Sequence, residues 1–225
     1  MSDAPANISM VTLEGLDLAS LLCSRVCHDV ISPVGAIVNG IELYDSGDAS
    51  MKEFSIDLVR KSSRQASARL QFARIAFGAA GSAGAMIDTG DAGNVAASFF
   101  ADEKVKLSWQ VPRALLPKNQ VKLALNLLMI GASAIPRGGN LVVDATITGE
   151  QGQFTITATG INARIPAHAA DLIGGRANNG VVDAHAIQPY YTGQVARAAG
   201  LEVGLTIDGE TVTITAAPPS AESHP

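Results

Sequence analysis

The 225-residue sequence predicts an α+β protein: an N-terminal helical hairpin that dimerises into a four-helix bundle, then a C-terminal α/β sandwich. Three observations lead there. Apolar residues recur at spacings of three, four or seven through most of residues 11–77. A run of small residues, "GAAGSAGA", then interrupts the pattern as a linker. Beyond it, segments of period two alternate with helical ones, as a mixed sheet with helices on one face requires. The expected division is residues 1–80 for the hairpin, 81–217 for the sandwich and 218–225 for a disordered tail.

In the first part, residues 11–44 read as one long helix and "DSGDAS" as a compact turn. Leu16, Cys23, Val26, Val30, Val34, Ile37 and Ile41 form its apolar stripe, expected to be buried. A second helix over residues 51–77 carries Phe54, Leu58, Ala66, Leu70, Ala73 and Phe77 on its apolar side. A hairpin alone cannot cover both stripes, so a second copy is expected against it.

The second part begins with a short helix over residues 94–100 and a strand whose Val105, Leu107, Trp109 and Val111 alternate. A helix over residues 117–135 leads through "PRGG" to strands 141–148 and 153–159, joined by "GEQG". After "GGRANNG", read as a flexible surface loop, a helix ends near Ala199 with Gly200 as its cap. Strands 201–207 and 211–216 pair through "DGE".

Composition narrows the function. A net charge of −5 and a sequence pI near 5.3 argue against nonspecific binding to nucleic acid or an anionic membrane. The start "MSDAPANISM" has neither a basic end nor an apolar run, and no stretch reads as approaching the length of a membrane span, so a soluble cytoplasmic protein is expected. Cys23 and Cys27 in "CSRVCH" have three residues between them where a haem-attachment signal has two, so they read as core packing rather than metal or haem ligands.

The stretch "CHDVISPVG" carries the chemistry. His28 lies two residues from both Val26 and Val30, which turns it away from the apolar stripe toward solvent. Pro33 has no N–H, so the carbonyl of Asp29 loses its helical partner and the helix should bend there. A neutral imidazole is a nucleophile near neutral pH, and an adjacent aspartate can accept a hydrogen bond from Nδ1 and stabilise the developing imidazolium. Arg25 lies nearly one turn before His28, while Arg60, Lys61, Arg64, Arg69 and Arg74 give the second helix a positive face suited to an acidic partner. His168, His185 and His224 have no adjoining acid-and-proline box and read as structural or solvent-exposed.

"HDVISP" resembles the phosphoacceptor box of two-component histidine kinases, in its expected setting of a helical hairpin. The resemblance implies His28 as acceptor on Nε2, Asp29 as its orienting partner and Ser32 where a polar side chain can steer water. The second part resembles a Bergerat-type ATPase domain in element order, but with its boxes degraded. In "LALNLLMIGASAIPRGG" the first N-box asparagine is Asn126, whereas the second, which helps hold magnesium, is Ile130. In "GINARIP" Gly160 replaces the aspartate that reads adenine, with Asn162 and Arg164 in place of glycines. "IQPYYTG" stands where a glycine lid would approach phosphate.

An intact phosphoacceptor hairpin before a degenerate ATPase domain resembles the ChpT-type histidine phosphotransferases. That resemblance implies no ATP and no cofactor, with Mg2+ on the partner receiver domain. It implies a homodimer relaying a phosphoryl group from a hybrid-kinase receiver, through His28, to response-regulator receivers, among them a cell-cycle transcription regulator and a single-domain receiver that controls proteolysis. Arg25, Arg60, Lys61 and Arg64 would then face the partner. A noncatalytic pseudokinase adaptor that binds receivers is the alternative.

Overall fold

The computed structural model describes residues 8–47, 49–78 and 84–219. Most of the small-residue linker and of the expected tail, together with His224, lies outside them. The chain opens with strand β1 (Ile8–Met10) and then forms helices α1 (Gly15–Asp45) and α2 (Lys52–Ala76), which pack along each other as a hairpin. Strand β2 (Met86–Asp88) and helix α3 (Thr89–Phe100) follow, then β3 (Val105–Trp109), β4 (Leu115–Pro117) and helix α4 (Lys118–Ala134). Strands β5 (Gly139–Thr148) and β6 (Gln151–Thr159) precede the short helix α5 (Ala169–Ile173) and strand β7 (Arg176–Asn178). Helix α6 (Ile187–Ala199) and strands β8 (Glu202–Asp208) and β9 (Thr211–Ala217) complete the fold.

Five strands form a mixed sheet in the order β3-β5-β6-β9-β8, in which only β3 and β5 run parallel. One face carries Leu141, Val143, Phe154, Ile156, Val212 and Ile214, all buried under the helices. Helix α4 is apolar on nearly every side because it is enclosed by the sheet, α2 and α6. Helix α3 starts five residues earlier than the periodicity predicts, because the Asp88 carboxylate accepts hydrogen bonds from the N–H groups of Gly90 and Asp91 and caps it. Gly200, at φ 68°, ends α6 in the left-handed conformation expected of it.

The two parts share a core. Phe72, Ile75 and Ala76 at the end of α2 belong to the same buried cluster as α4 and the sheet, and the Phe72 ring lies 4.3 Å from that of Phe99. Asn126 Nδ2 donates to the carbonyl of Ala76 at 2.9 Å. At the other end, β1 pairs antiparallel with β7, and the Tyr190 hydroxyl accepts from the N–H of Leu13 at 3.1 Å and donates to the carbonyl of Val11 at 3.2 Å. The "GGRANNG" segment is thus not simply a flexible loop. Its middle is a strand whose backbone is satisfied by the chain's own beginning, over a buried Ala177.

The hairpin differs from the sequence-based expectation in which faces this chain covers by itself. Leu16, Val34 and Ile41 are exposed while Val26, Val30 and Ile37 are half-buried, so this chain alone leaves much of the apolar stripe of α1 open on the side where a second copy is expected; Cys23 and Cys27 are exposed as well and are not packed in this chain's own core. The face turned to α2 instead buries Pro33 and Gly40, where the small residues let the helices approach: a Cβ on Gly40 would meet the Val59 side chain at 2.6 Å. On α2, Phe54 and Leu70 are exposed while Ser55, Ser62 and Ala66 are buried. Contrary to the expectation that no stretch approaches a membrane span, the 31-residue helix α1 is by length and composition apolar enough to cross one. That apolar content lies along its uncovered face, while the opposite face packs on α2.

Candidate functional site

Pro33 shapes the site. It sits in the middle of α1, and without an N–H it leaves the carbonyl oxygen of Asp29 with no partner one turn earlier. Arg69 of α2 fills that gap: its Nη1 donates to the Asp29 carbonyl at 2.7 Å, and its Nη2 pairs with Glu103 Oε1, between α3 and β3, at 3.0 Å. The same residue therefore braces the proline-containing segment of α1 against the sheet domain.

The Asp29 side chain is held as firmly as its backbone. Oδ2 accepts from Arg25 Nε at 3.0 Å, across one helical turn, and Oδ1 lies 3.5 Å from His28 Nδ1. His28 itself has 76% of its side chain exposed, while Asp29 has 22%. The carboxylate thus faces Nδ1 and leaves Nε2 as the ring nitrogen open to an incoming group. At 3.5 Å the contact is long for a hydrogen bond.

The other residues singled out by the sequence divide into two groups. Ser32 is exposed one turn beyond His28 on the same helix. Arg25 is not a free cation but Asp29's partner, with a quarter of its side chain exposed. Arg69 stands level with Asp29, and Val59 lies against Gly40, so the exposed Arg60, Lys61 and Arg64 lie between those levels toward the hairpin's loop. Arg60 is shared with Asp57 at 3.3 Å.

Between hairpin and sheet domain lies a cavity of about 670 Å³, open to solvent, with Arg25, Asp29 and Arg69 on one side and Ile130, Ser133 and His185 among its lining on the other. It holds the segments where the sequence places the degraded nucleotide boxes. Ile130 is 2% exposed and packs in the core, offering no ligand for magnesium. Asn126 is retained but spent on structure, bonded to the carbonyls of Ala76 and Lys122 and approached by Gln188 Nε2. An aspartate at Gly160 has no room, because a Cβ there would collide with the Gly138 carbonyl oxygen and touch Ile135. "IQPYYTG" is no lid but the first two turns of α6, with Tyr190 buried, Pro189 tolerated in the first turn, and Gly193 packed directly on the Ile173 carbonyl. These residues do not fit a nucleoside triphosphate.

Sequence reasoning passed over His185. It is exposed, as expected of it, yet its ring lies 6.5 Å from the His28 ring, edge-on at 75°. The segment before α6 brings it there: Asp183 Oδ1 accepts from the N–H groups of His185 and Ala186 at 2.9 and 2.8 Å and fixes the turn. The only local signal was the Asp-x-His order at a helix start, which marks a cap and says nothing of what lies opposite.

An exposed histidine with a carboxylate on its Nδ1 side, on a helical hairpin packed against a mixed-sheet domain, is an arrangement suited to a protein that passes phosphoryl groups. Residues 89–211 match the family described as the histidine phosphotransferase C-terminal domain. Protein phosphotransferase ChpT of Brucella abortus (strain 2308) is 52% identical over 206 residues, spanning 92% of this chain and 98% of the relative. The solved structure of a bacterial phosphotransferase superposes with a TM-score of 0.85 at 49% identity, over 92% of this chain and 100% of that one. The chain belongs to the histidine phosphotransferase family, and it is a phosphotransferase.

Proposed function

We propose that the protein is a cytoplasmic, homodimeric phosphorelay intermediate. It takes a phosphoryl group from the aspartate of a hybrid kinase's receiver domain onto His28, and gives it to the aspartate of a response regulator. The observation that carries this reading is His28 itself, exposed on α1 with the Asp29 carboxylate on its Nδ1 side. In the forward step the Nε2 lone pair attacks phosphorus, the bond from phosphorus to the aspartyl oxygen breaks, and the receiver's carboxylate leaves. The Nδ1 proton stays, and Asp29 offsets the positive charge that develops on the ring. The return step reverses these bonds on a second receiver.

Little else is needed from this chain, because the receiver brings the reactive acyl phosphate and its own Mg2+. What this chain supplies is position: Arg25 and Arg69 hold Asp29, and Asp29 holds His28. Arg60, Lys61 and Arg64 would attract the acidic face of a receiver, and Ser32 would lie where a hydrolytic water approaches phospho-His28. ATP plays no part in this reading, since Ile130 and Gly160 cannot serve it. The exposed Leu16, Ile31, Val34, Val38 and Ile41 of α1 support a second copy packed on that face.

Mixing the protein with a phosphorylated receiver tests the reading. Label should appear on this chain, survive alkali and be lost in acid, as a phosphoramidate does and an acyl phosphate does not. Binding without any transfer of label would make the protein a receiver-binding adaptor.

A further inference from the structure

We infer that His185 is a phosphoryl-binding residue, which donates a hydrogen bond to the phosphoryl group once that group is on His28. The inference rests on the proposed acceptor role of His28 and names a second side chain for it. Two exposed imidazoles 6.5 Å apart between centroids are too far for a direct hydrogen bond, and among the described residues none joins them. A phosphoryl group attached to one ring would stand in that gap and present three acceptor oxygens to the other. An imidazole is suited to this, since it keeps at least one N–H donor in either protonation state.

The surroundings leave the role open to His185. Arg25 gives its Nε to the Asp29 carboxylate, and Arg69 gives its Nη1 and Nη2 to the Asp29 carbonyl and Glu103, so each already has an oxygen to hold, whereas among the described residues the His185 ring has no hydrogen-bond partner. The backbone of His185 is fixed by the Asp183 cap through its N–H, not its side chain, so the ring is placed without being used. No covalent step falls to His185: the bond to Nε2 of His28 forms as the bond to the receiver's aspartate breaks, and His185 only donates to a non-bridging oxygen. Its effect is to favour the phosphorylated form of this protein over the phosphorylated receiver.

The test compares His185→Ala, His185→Phe and His185→Lys with the parent. Each is equilibrated with a phosphorylated receiver; label on this chain is counted, and the phospho-His28 resonance is followed by phosphorus NMR. The alanine and phenylalanine variants should lose on the order of tenfold in occupancy, about the worth of one charge-assisted hydrogen bond, and shift the resonance. Lysine, which restores a donor, should recover most of the occupancy. Phenylalanine keeps the ring and removes the donor, so recovery by phenylalanine would reduce His185 to ring packing and overturn the inference. Unchanged occupancy in the alanine variant would overturn it too. Absence of label from the parent would instead sink the acceptor role of His28 beneath it.

Discussion

Arg69 and Pro33 are complementary: the proline removes the N–H that would have paired with the Asp29 carbonyl, and the arginine, on the facing helix, supplies one at 2.7 Å. This makes a double-mutant cycle informative. Arg69→Ala should cost about 1–3 kcal/mol of stability by leaving that carbonyl unpaired. With Pro33→Ala in the background, the new N–H pairs with Asp29 along the helix, and the cost of losing Arg69 should fall. Urea unfolding of the four proteins measures the coupling, and strict additivity would show that the two residues act independently.

Tyr190→Phe should loosen the join between the chain's start and the sheet domain. The buried hydroxyl serves both Leu13 and Val11, so its loss leaves a donor and an acceptor unsatisfied, at about 1–3 kcal/mol. Hydrogen exchange should accelerate in β1 and β7 before the central strands. Equal protection in the variant would mean that the β1–β7 pairing holds without the tyrosine.

Ile130→Asn should not create nucleotide binding. Gly160 still has no room for an aspartate, and where a glycine lid would stand the chain forms the first turns of α6. Calorimetry with Mg-ATP should show no heat of binding, while the melting temperature falls because an amide has been placed in an apolar core. Measurable ATP affinity in this single variant would contradict the reading of the cavity.

Reversing the charges of Arg60, Lys61 and Arg64 together should slow transfer by weakening docking, and the parent's rate should fall with added salt. Because Arg60 is already shared with Asp57, most of the effect should come from Lys61 and Arg64. Unchanged rates at low salt would leave these three as a solvated face.

What the sequence disclosed was local. His28, Asp29 and Pro33 lie within six residues of one another, so their spacing alone turned the histidine outward and freed the Asp29 carbonyl. The five strands of the main sheet and helices α3, α4 and α6 were legible for the same reason, since each carries its own period, whereas β2, β4, α5 and β7 are too short to show one. Arg69 and His185 were hidden because their partners are distant in the chain, and no spacing reveals that a cation will meet an orphaned carbonyl or that two imidazoles will face each other. The stripe on α1 is a different case. Leu16, Val34 and Ile41 are as periodic as core residues, but periodicity shows only that a face is apolar, not whether this chain covers it. Pro33 and Gly40 lie on the face that is covered, and they belong to no apolar pattern.

The central claim is that phosphate rests on His28, and the most direct measurement is label acceptance by His28→Ala beside the parent and Asp29→Asn. His28 is exposed and contributes to no core cluster, so alanine should leave the fold and the proposed dimer and receiver contacts intact. The account predicts no label on His28→Ala, and slowed but persistent acceptance by Asp29→Asn, which loses an effect on the order of 1.5–3 kcal/mol and keeps the nucleophile. Acid-labile, alkali-stable label persisting on folded His28→Ala would move the acceptor to another histidine and contradict the account.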